Sequence, residues 1–193
     1  MRTGIFGGSF DPPHMGHINI AIAAKKKLGL DRLILVPTGK APHKSTISEN
    51  AEDRAAMCRQ ICKKFGFELS RYEVEKEGNC YTADLLADFA EEYPGDEFFL
   101  VVGGDSLDYM DKWYHPERIF PMCTVAVARR RGDSEGKADF LKEKFGAKIV
   151  FLDCDYYNVS STEVRDALKK GKSVSEWLLP ETEQYIRENN LYR

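Results

Sequence analysis

Short apolar runs alternate with helical patterns along this chain, and that alternation limits its fold more than any other feature. Residues 2–6, 32–36, 98–102, 124–128 and 148–152 are brief and rich in Ile, Val, Leu and Phe. Apolar runs without polar alternation read as strands buried on both faces. Between them, 16–28, 50–64, 82–93 and 135–145 carry helical patterning. Such a succession predicts an α/β fold, with a parallel sheet and helices on both sides. Residues 67–74 are a further strand candidate. The polar tail, 175–193, has an apolar stripe of Trp177, Leu178, Tyr185 and Ile186 and predicts a short packed helix. One domain over 1–193 suits the length.

In parallel sheets of this kind, ligands bind beyond the carboxyl ends of the strands. Five motif-bearing segments fall at such ends. They are 7–17, 37–45, 103–105, 129–131 and 159–165. The first is the densest: Gly4-Ile5-Phe6-Gly7-Gly8-Ser9-Phe10-Asp11-Pro12-Pro13-His14-Met15-Gly16-His17. Gly7 and Gly8 let backbone turn and approach a ligand without a Cβ. His14 and His17 stand where a helix begins, so amide N–H groups and two imidazoles are expected to face one anion. Two polar residues solvating a helix start, or a metal-binding pair on one helical face, are the alternatives.

The other segments carry similar ambiguity. Ser160 and Glu163 have capping-box spacing, so 159–165 reads as an ordinary helix start. The same start leaves amides at Ser161 and Thr162 for a phosphate, with Arg165 able to fork onto its oxygens. Lys44 follows a stiff Pro- and Gly-containing loop and reads as a point charge for a polyphosphate, with Lys40 and His43 as weaker candidates. Gly103-Gly104-Asp105 ends a strand: backbone there can lie against a base or sugar, and Asp105 can accept from a hydroxyl. A turn with an Asp cap is the plainer reading. Trp113 and Tyr114 offer stacking faces, or core. Thr82 opens a helix as its cap, or faces a ligand.

Composition narrows the function classes. The net charge of -3 argues against a broad nucleic-acid-binding surface. No apolar run of about 18 residues is present, so no transmembrane helix and no membrane partner are expected. Met1-Arg2-Thr3 leads into a strand and leaves no room for a signal peptide, which points to the cytoplasm. The five cysteines lack paired metal spacing and read as reduced, mostly buried thiols. No metal ligands are assigned to side chains. The sequence is compatible with a homo-oligomer.

The elements Gly-Gly-Ser-Phe-Asp-Pro-Pro-His-x-Gly-His and Ser-Ser-Thr-x-x-Arg resemble the nucleotidylyltransferase superfamily with its (His/Thr)-x-Gly-His signature. Within it the chain is most similar to bacterial nicotinate mononucleotide adenylyltransferases. That narrower resemblance rests on Val36-Pro37 with Pro42-His43-Lys44, Tyr81-Thr82, Gly104-Asp105 with Trp113-Tyr114, and Tyr185-Ile186 through Leu191-Tyr192. It implies a Rossmann-like doubly wound fold with a small C-terminal helical portion.

The implied reaction joins ATP, with Mg²⁺, to nicotinate mononucleotide, giving nicotinate adenine dinucleotide and pyrophosphate. The resemblance implies that His14, His17, Lys44, Ser161, Thr162 and Arg165 hold ATP phosphates. Gly7, Gly8, Ser9, Phe10, Gly103 and Asp105 complete the ATP site. It places Thr82, Trp113 and Tyr114 around the nicotinate ring, with Ser9, Lys44 and Asp105 also on the mononucleotide. His14, His17, Lys44 and Arg165 are the implied catalytic set. One departure stands out: Arg131 replaces the proline that commonly precedes the glycine at Gly132, which leaves Arg129 and Arg130 without an assigned role. Phosphopantetheine adenylyltransferase, glycerol-phosphate cytidylyltransferase and a non-catalytic nucleotide sensor are the competing readings.

Overall fold

The structure, a computed structural model, describes residues 1–39, 50–128, 136–154 and 159–193. Lys40, His43, Lys44 and the Arg129–Arg131 triplet, all singled out above, lie outside the described residues.

The first half runs β1 (Arg2–Gly8), α1 (Met15–Lys27), β2 (Arg32–Pro37), α2 (Ala51–Phe65), β3 (Glu68–Leu69), α3 (Tyr72–Glu75) and α4 (Thr82–Glu92). The second continues with β4 (Glu97–Gly103), α5 (Gly104–Leu107), a 3₁₀ turn (Met110–Lys112), α6 (Pro116–Met122) and β5 (Cys123–Ala128). It ends with α7 (Gly136–Phe145), β6 (Lys148–Leu152), α8 (Ser161–Lys169) and α9 (Pro180–Glu188). The strands form one six-stranded all-parallel sheet in the order β3-β2-β1-β4-β5-β6. That order is the doubly wound Rossmann arrangement, with its topological switch between β1 and β4. Their register runs in parallel from Arg2 opposite Glu97 through Phe6 opposite Val101, so within the first of the units described below β1 leaves at Gly7 on the same edge as β4 at Gly103.

The chain divides into two compact units. One comprises Met1–Gly7, Ile20–Ile34 and Cys80–Cys154; the other comprises Gly8–Asn19, Leu35–Asn79 and Asp155–Arg193. In the first, Ile5, Val101, Val125, Ala126 and Val127 are fully buried, as strands covered on both faces require. Asp96 gathers the Met1 amine, the Thr3 hydroxyl and the Arg32 guanidinium at the amino-terminal edge of the strands. In the second, α8 and α9 pack Val164, Ala167 and Ile186 against Met57 of α2, with Leu178 and Tyr192 in the same cluster. That cluster is the C-terminal helical portion expected from the tail. Trp177 and Tyr185 are half-buried beside it.

One expectation is corrected. Residues 67–74 give only the two-residue β3, because the Ser70 hydroxyl accepts the Tyr72 amide and the Arg71–Glu75 pair supports a helical turn instead. Residues 104–122, which carry little periodicity, fold into α5, the 3₁₀ turn and α6. Pro116 at the first turn of α6 suits a helix start. None of the five cysteines is in a disulfide; Cys58, Cys62, Cys80 and Cys123 are buried, and Cys154 is half-buried.

Candidate active site

The second unit holds the phosphate motif. Leaving β1, the chain makes its sharp turn at Phe10, whose φ is 48°, and not at the glycines. Gly8 instead makes room: a Cβ there would meet the Phe10 ring at 3.1 Å, whereas one on Gly7 would meet nothing within 4 Å. Phe10 is buried and sets its ring edge against His17, centroids 5.0 Å apart. The imidazoles of His14 and His17 lie 3.8 Å apart, centroid to centroid. Gly16 is the residue that permits this, because a Cβ on it would sit 3.0 Å from the His14 ring.

Each imidazole has a defined electrostatic state. The backbone N–H of His14 donates to Nδ1 of His17 at 3.2 Å. An Nδ1 that accepts carries no proton, so neutral His17 holds its proton on Nε2. His14 is buried, and desolvation lowers its pKa to about 4 against a weaker opposing pull from Glu163. It is therefore neutral at pH 7 and contributes a hydrogen-bonding ring rather than a positive charge. Its Nδ1 is buried without a hydrogen-bond partner among the described residues, an uncommon state for a polar atom unless a ligand completes it.

The helix-start amides contribute less than the motif implies. The His14 amide is taken by His17, and the Met15 amide donates to the Trp177 carbonyl at 2.8 Å. The anion-facing expectation for α1 therefore narrows to the imidazoles and the Gly16 region.

The C-terminal motif comes to the same place. Ser160 caps α8 with a complete capping box, its hydroxyl accepting the Glu163 amide and Glu163 accepting the Ser160 amide. That cap satisfies the third amide and leaves those of Ser161 and Thr162 without intrahelical acceptors. The structural and functional readings of this motif are thus compatible. The Ser161 hydroxyl donates to the Pro12 carbonyl at 2.9 Å. Arg165 donates from Nη1 to the Asp11 carbonyl at 2.7 Å and from Nη2 to the Thr162 hydroxyl at 3.2 Å. Its Nη1 is also 3.7 Å from the Asp11 carboxylate. Segments about 150 residues apart in sequence are joined by these bonds.

Sequence reasoning assigned no role to four residues that build this unit. Buried Asp11 accepts the Tyr192 hydroxyl at 2.9 Å, so the tail reaches the phosphate motif. Arg54 and Glu73 are both buried polar residues near Ser9, Thr38 and Gly39. Burial pushes the Glu73 carboxyl up to about 7, against opposing contributions from the Gly39 amide, Lys76 and Arg54. Arg54 had a visible signal, since it occupies the same helical stripe as Ala55, Met57, Cys58, Ile61 and Cys62, all buried.

The first unit holds the aromatic group. Tyr81 precedes α4, and its ring stacks on Tyr114 at 4.1 Å. No side chain caps α4, so the amides of Thr82 and Ala83 have no capping partner, while those of Asp84 and Leu85 donate to the Tyr81 carbonyl. Trp113 is half-buried and outside the core, Tyr114 is exposed, and both lie between the 3₁₀ turn and α6. Asp105 is exposed in the first turn of α5 directly after β4, and is not its cap. Among the described residues no group of three His, Cys, Asp or Glu side chains is arranged to hold a metal. No helix among them is long and apolar enough to cross a membrane.

Comparison with known proteins bears on this architecture. The cytidylyltransferase-like family matches residues 5–167. A protein of Clostridium novyi named a probable nicotinate-nucleotide adenylyltransferase is 35% identical over 199 residues, covering 100% of this chain and 99% of its own. A Shewanella frigidimarina protein of the same name is 34% identical over 211 residues, with complete coverage of both. The solved Plasmodium falciparum nicotinic acid mononucleotide adenylyltransferase complexed with NaAD superposes with a TM-score of 0.82 at 22% identity, over 99% of this chain and 97% of that one. Its fold is the Rossmann-like fold described above. The chain thus belongs to the cytidylyltransferase-like family and, within it, to the nicotinate-nucleotide adenylyltransferases.

Proposed function

We infer that this protein is an adenylyltransferase that joins the adenylyl group of ATP to nicotinate mononucleotide, releasing pyrophosphate and forming nicotinate adenine dinucleotide. The observation that carries the chemistry is the tautomer of His17. With Nδ1 occupied by the His14 amide, the ring has a single N–H donor on Nε2 and keeps it without reorganisation.

The reaction needs no covalent enzyme intermediate. A phosphate oxygen of the mononucleotide attacks the α-phosphorus of ATP in line, the bond to the bridging oxygen breaks, and pyrophosphate leaves with its electron pair. The attacking phosphate is already anionic near neutral pH, so no general base is required. The chain's work is positioning and stabilisation of charge. His17 Nε2–H donates to an α-phosphate oxygen as negative charge develops. Arg165 and Lys44 supply positive charge to the β,γ-phosphates, and the Ser161 and Thr162 amides of α8 donate to the same oxygens. His14 serves as an uncharged partner there, and bound polyphosphate raises its pKa. The donor set suits Mg²⁺ carried by the nucleotide itself, because no three-ligand protein cage exists among the described residues. When bound, the ion supplies screening of the triphosphate charge.

On the mononucleotide side, the pyridine ring stacks with Trp113 and Tyr114. The start of α4 offers two amides and the positive end of a helix dipole, which favours a carboxylate over a neutral amide. Asp105 accepts from a ribose hydroxyl. This arrangement supports nicotinate over nicotinamide, and over phosphopantetheine, which has no aromatic ring to stack.

Pyrophosphate release measured with ATP and Mg²⁺ tests the whole reading. Strong release with nicotinate mononucleotide, and weak release with nicotinamide mononucleotide or phosphopantetheine, is expected. Release with phosphopantetheine alone would overturn the roles of Thr82, Trp113 and Tyr114. Silence with all three would return the chain to a non-catalytic sensor.

A further inference from the structure

Arg54 is the bulkiest fully buried side chain among the described residues, with a relative exposure of 1%. It occupies the buried stripe of α2, among alanine, methionine, cysteine and isoleucine. Burying a guanidinium costs free energy unless well-made hydrogen bonds offset it. Here they are short. Nη1 donates to the Ser9 carbonyl at 2.6 Å, and Nη2 donates to the Thr38 carbonyl at 2.6 Å while reaching the Gly39 carbonyl at 3.5 Å.

The two acceptor segments are the informative part. Ser9 belongs to the phosphate motif. Thr38 and Gly39 directly follow β2, at the carboxyl end of that strand. Next to the guanidinium the segments already touch, because the Thr38 amide donates to the Gly8 carbonyl at 2.8 Å. Gly39 is held from a further side. Its amide donates to the Glu73 carboxylate at 3.4 Å, and a Cβ on it would fall 1.8 Å from the Glu73 backbone oxygen. The backbone at this point has no room for a side chain.

We propose that Arg54 is a positioning residue for the triphosphate site: one guanidinium sets the Ser9 carbonyl and the Thr38–Gly39 carbonyls in register, and so holds the phosphate motif, with Phe10 against the His17 ring, in the geometry that meets the nucleotide. The proposal rests on the adenylyl-transfer reading above. A planar fork with several donors can bridge two chain segments, whereas a lysine is a single point donor on a flexible stem. An apolar residue would pack α2 equally well and bridge nothing.

The test is steady-state pyrophosphate release by the full chain carrying Arg54→Lys, His17→Ala, or both, with thermal midpoints recorded alongside. Wild-type turnover of ATP with nicotinate mononucleotide checks the underlying reading independently. If Arg54 positions, Arg54→Lys raises KM for ATP and lowers kcat, for a combined loss of about 10²-fold, the scale of a misplacement near 1 Å. KM for the mononucleotide changes little. Combined with His17→Ala, the loss is well short of the product of the two single losses, because residues that act through one another are not additive.

A purely structural arginine would lower the thermal midpoint and the active fraction, leave KM for ATP intact, and give losses that multiply with His17→Ala. Either of the last two results in an active wild-type background overturns the proposal. Gly39→Ala provides a second variant should Arg54→Lys fail to fold, since it displaces the same backbone without touching α2. It is expected to reproduce the selective rise in KM for ATP, and an unchanged KM would overturn the proposal equally.

Discussion

At the scale of single residues, two neighbouring histidines share a motif but differ in state. His17 is held as an Nε2–H donor by the His14 amide, whereas His14 is kept neutral by burial. His17→Ala should lower kcat by about 10²–10³-fold, the usual result of losing one preorganised donor, with a smaller change in ATP affinity. An intact kcat with a raised KM would remove the transition-state role. The aromatic group allows a second residue-level prediction. Trp113 lies outside the buried core, so Trp113→Ala should weaken nicotinate mononucleotide far more than ATP in direct titration, with little change in thermal midpoint. Equal loss for both ligands would assign Trp113 to packing.

The start of α8 raises a question that belongs to elements. One helix end serves as a capping box and as a candidate phosphate cradle, through adjacent serines with different partners. Ser160→Ala removes the cap and should cost about 1 kcal/mol of stability, read by denaturant unfolding, while kcat/KM changes little. Ser161→Ala instead releases the Pro12 carbonyl and should lower kcat/KM for ATP by about tenfold, the worth of one hydrogen bond near 1.4 kcal/mol, with stability changed less. If the two variants exchange these effects, the division of labour is reversed. Gly16 illustrates the same scale, since its missing Cβ is what lets α1 begin against the His14 ring.

For the molecule as a whole, two buried groups set the response to mild acid. His14 has its folded pKa lowered from 6.5 to about 4, so the unfolded chain takes the proton first. Its contribution to stability is present above pH 6.5 and is lost as pH falls toward 4. Glu73 is the opposite case, raised from 4.5 to about 7. Its contribution is present below pH 4.5 and is lost as pH rises toward 7. Between about pH 4.5 and 6.5 the two slopes oppose, each worth roughly 3 kcal/mol at full extent. Unfolding free energy should therefore be nearly flat across this window in the wild type. In Glu73→Gln it should rise with pH, by an amount approaching the contribution of His14. A flat profile in the variant would show that His14 is not buried neutral.

The strands, their order of appearance and the principal helices were legible in the sequence because buried parallel strands must be apolar throughout and helices must repeat every three to four residues. Gly7–His17 and Ser160–Arg165 were legible for a similar reason: phosphate chemistry restricts residue types locally. Periodicity failed where it was short, at β3. Only tertiary structure decided that Phe10 rather than glycine makes the turn, that His14 is neutral, and that Arg165 and Ser161 return to Asp11 and Pro12. Only it identified Arg54, Glu73 and Tyr192 as partners of the motif. These facts depend on desolvation and on contacts between residues far apart in the chain. Composition and spacing record which groups are available, whereas folding determines which of them lose water and what they then face.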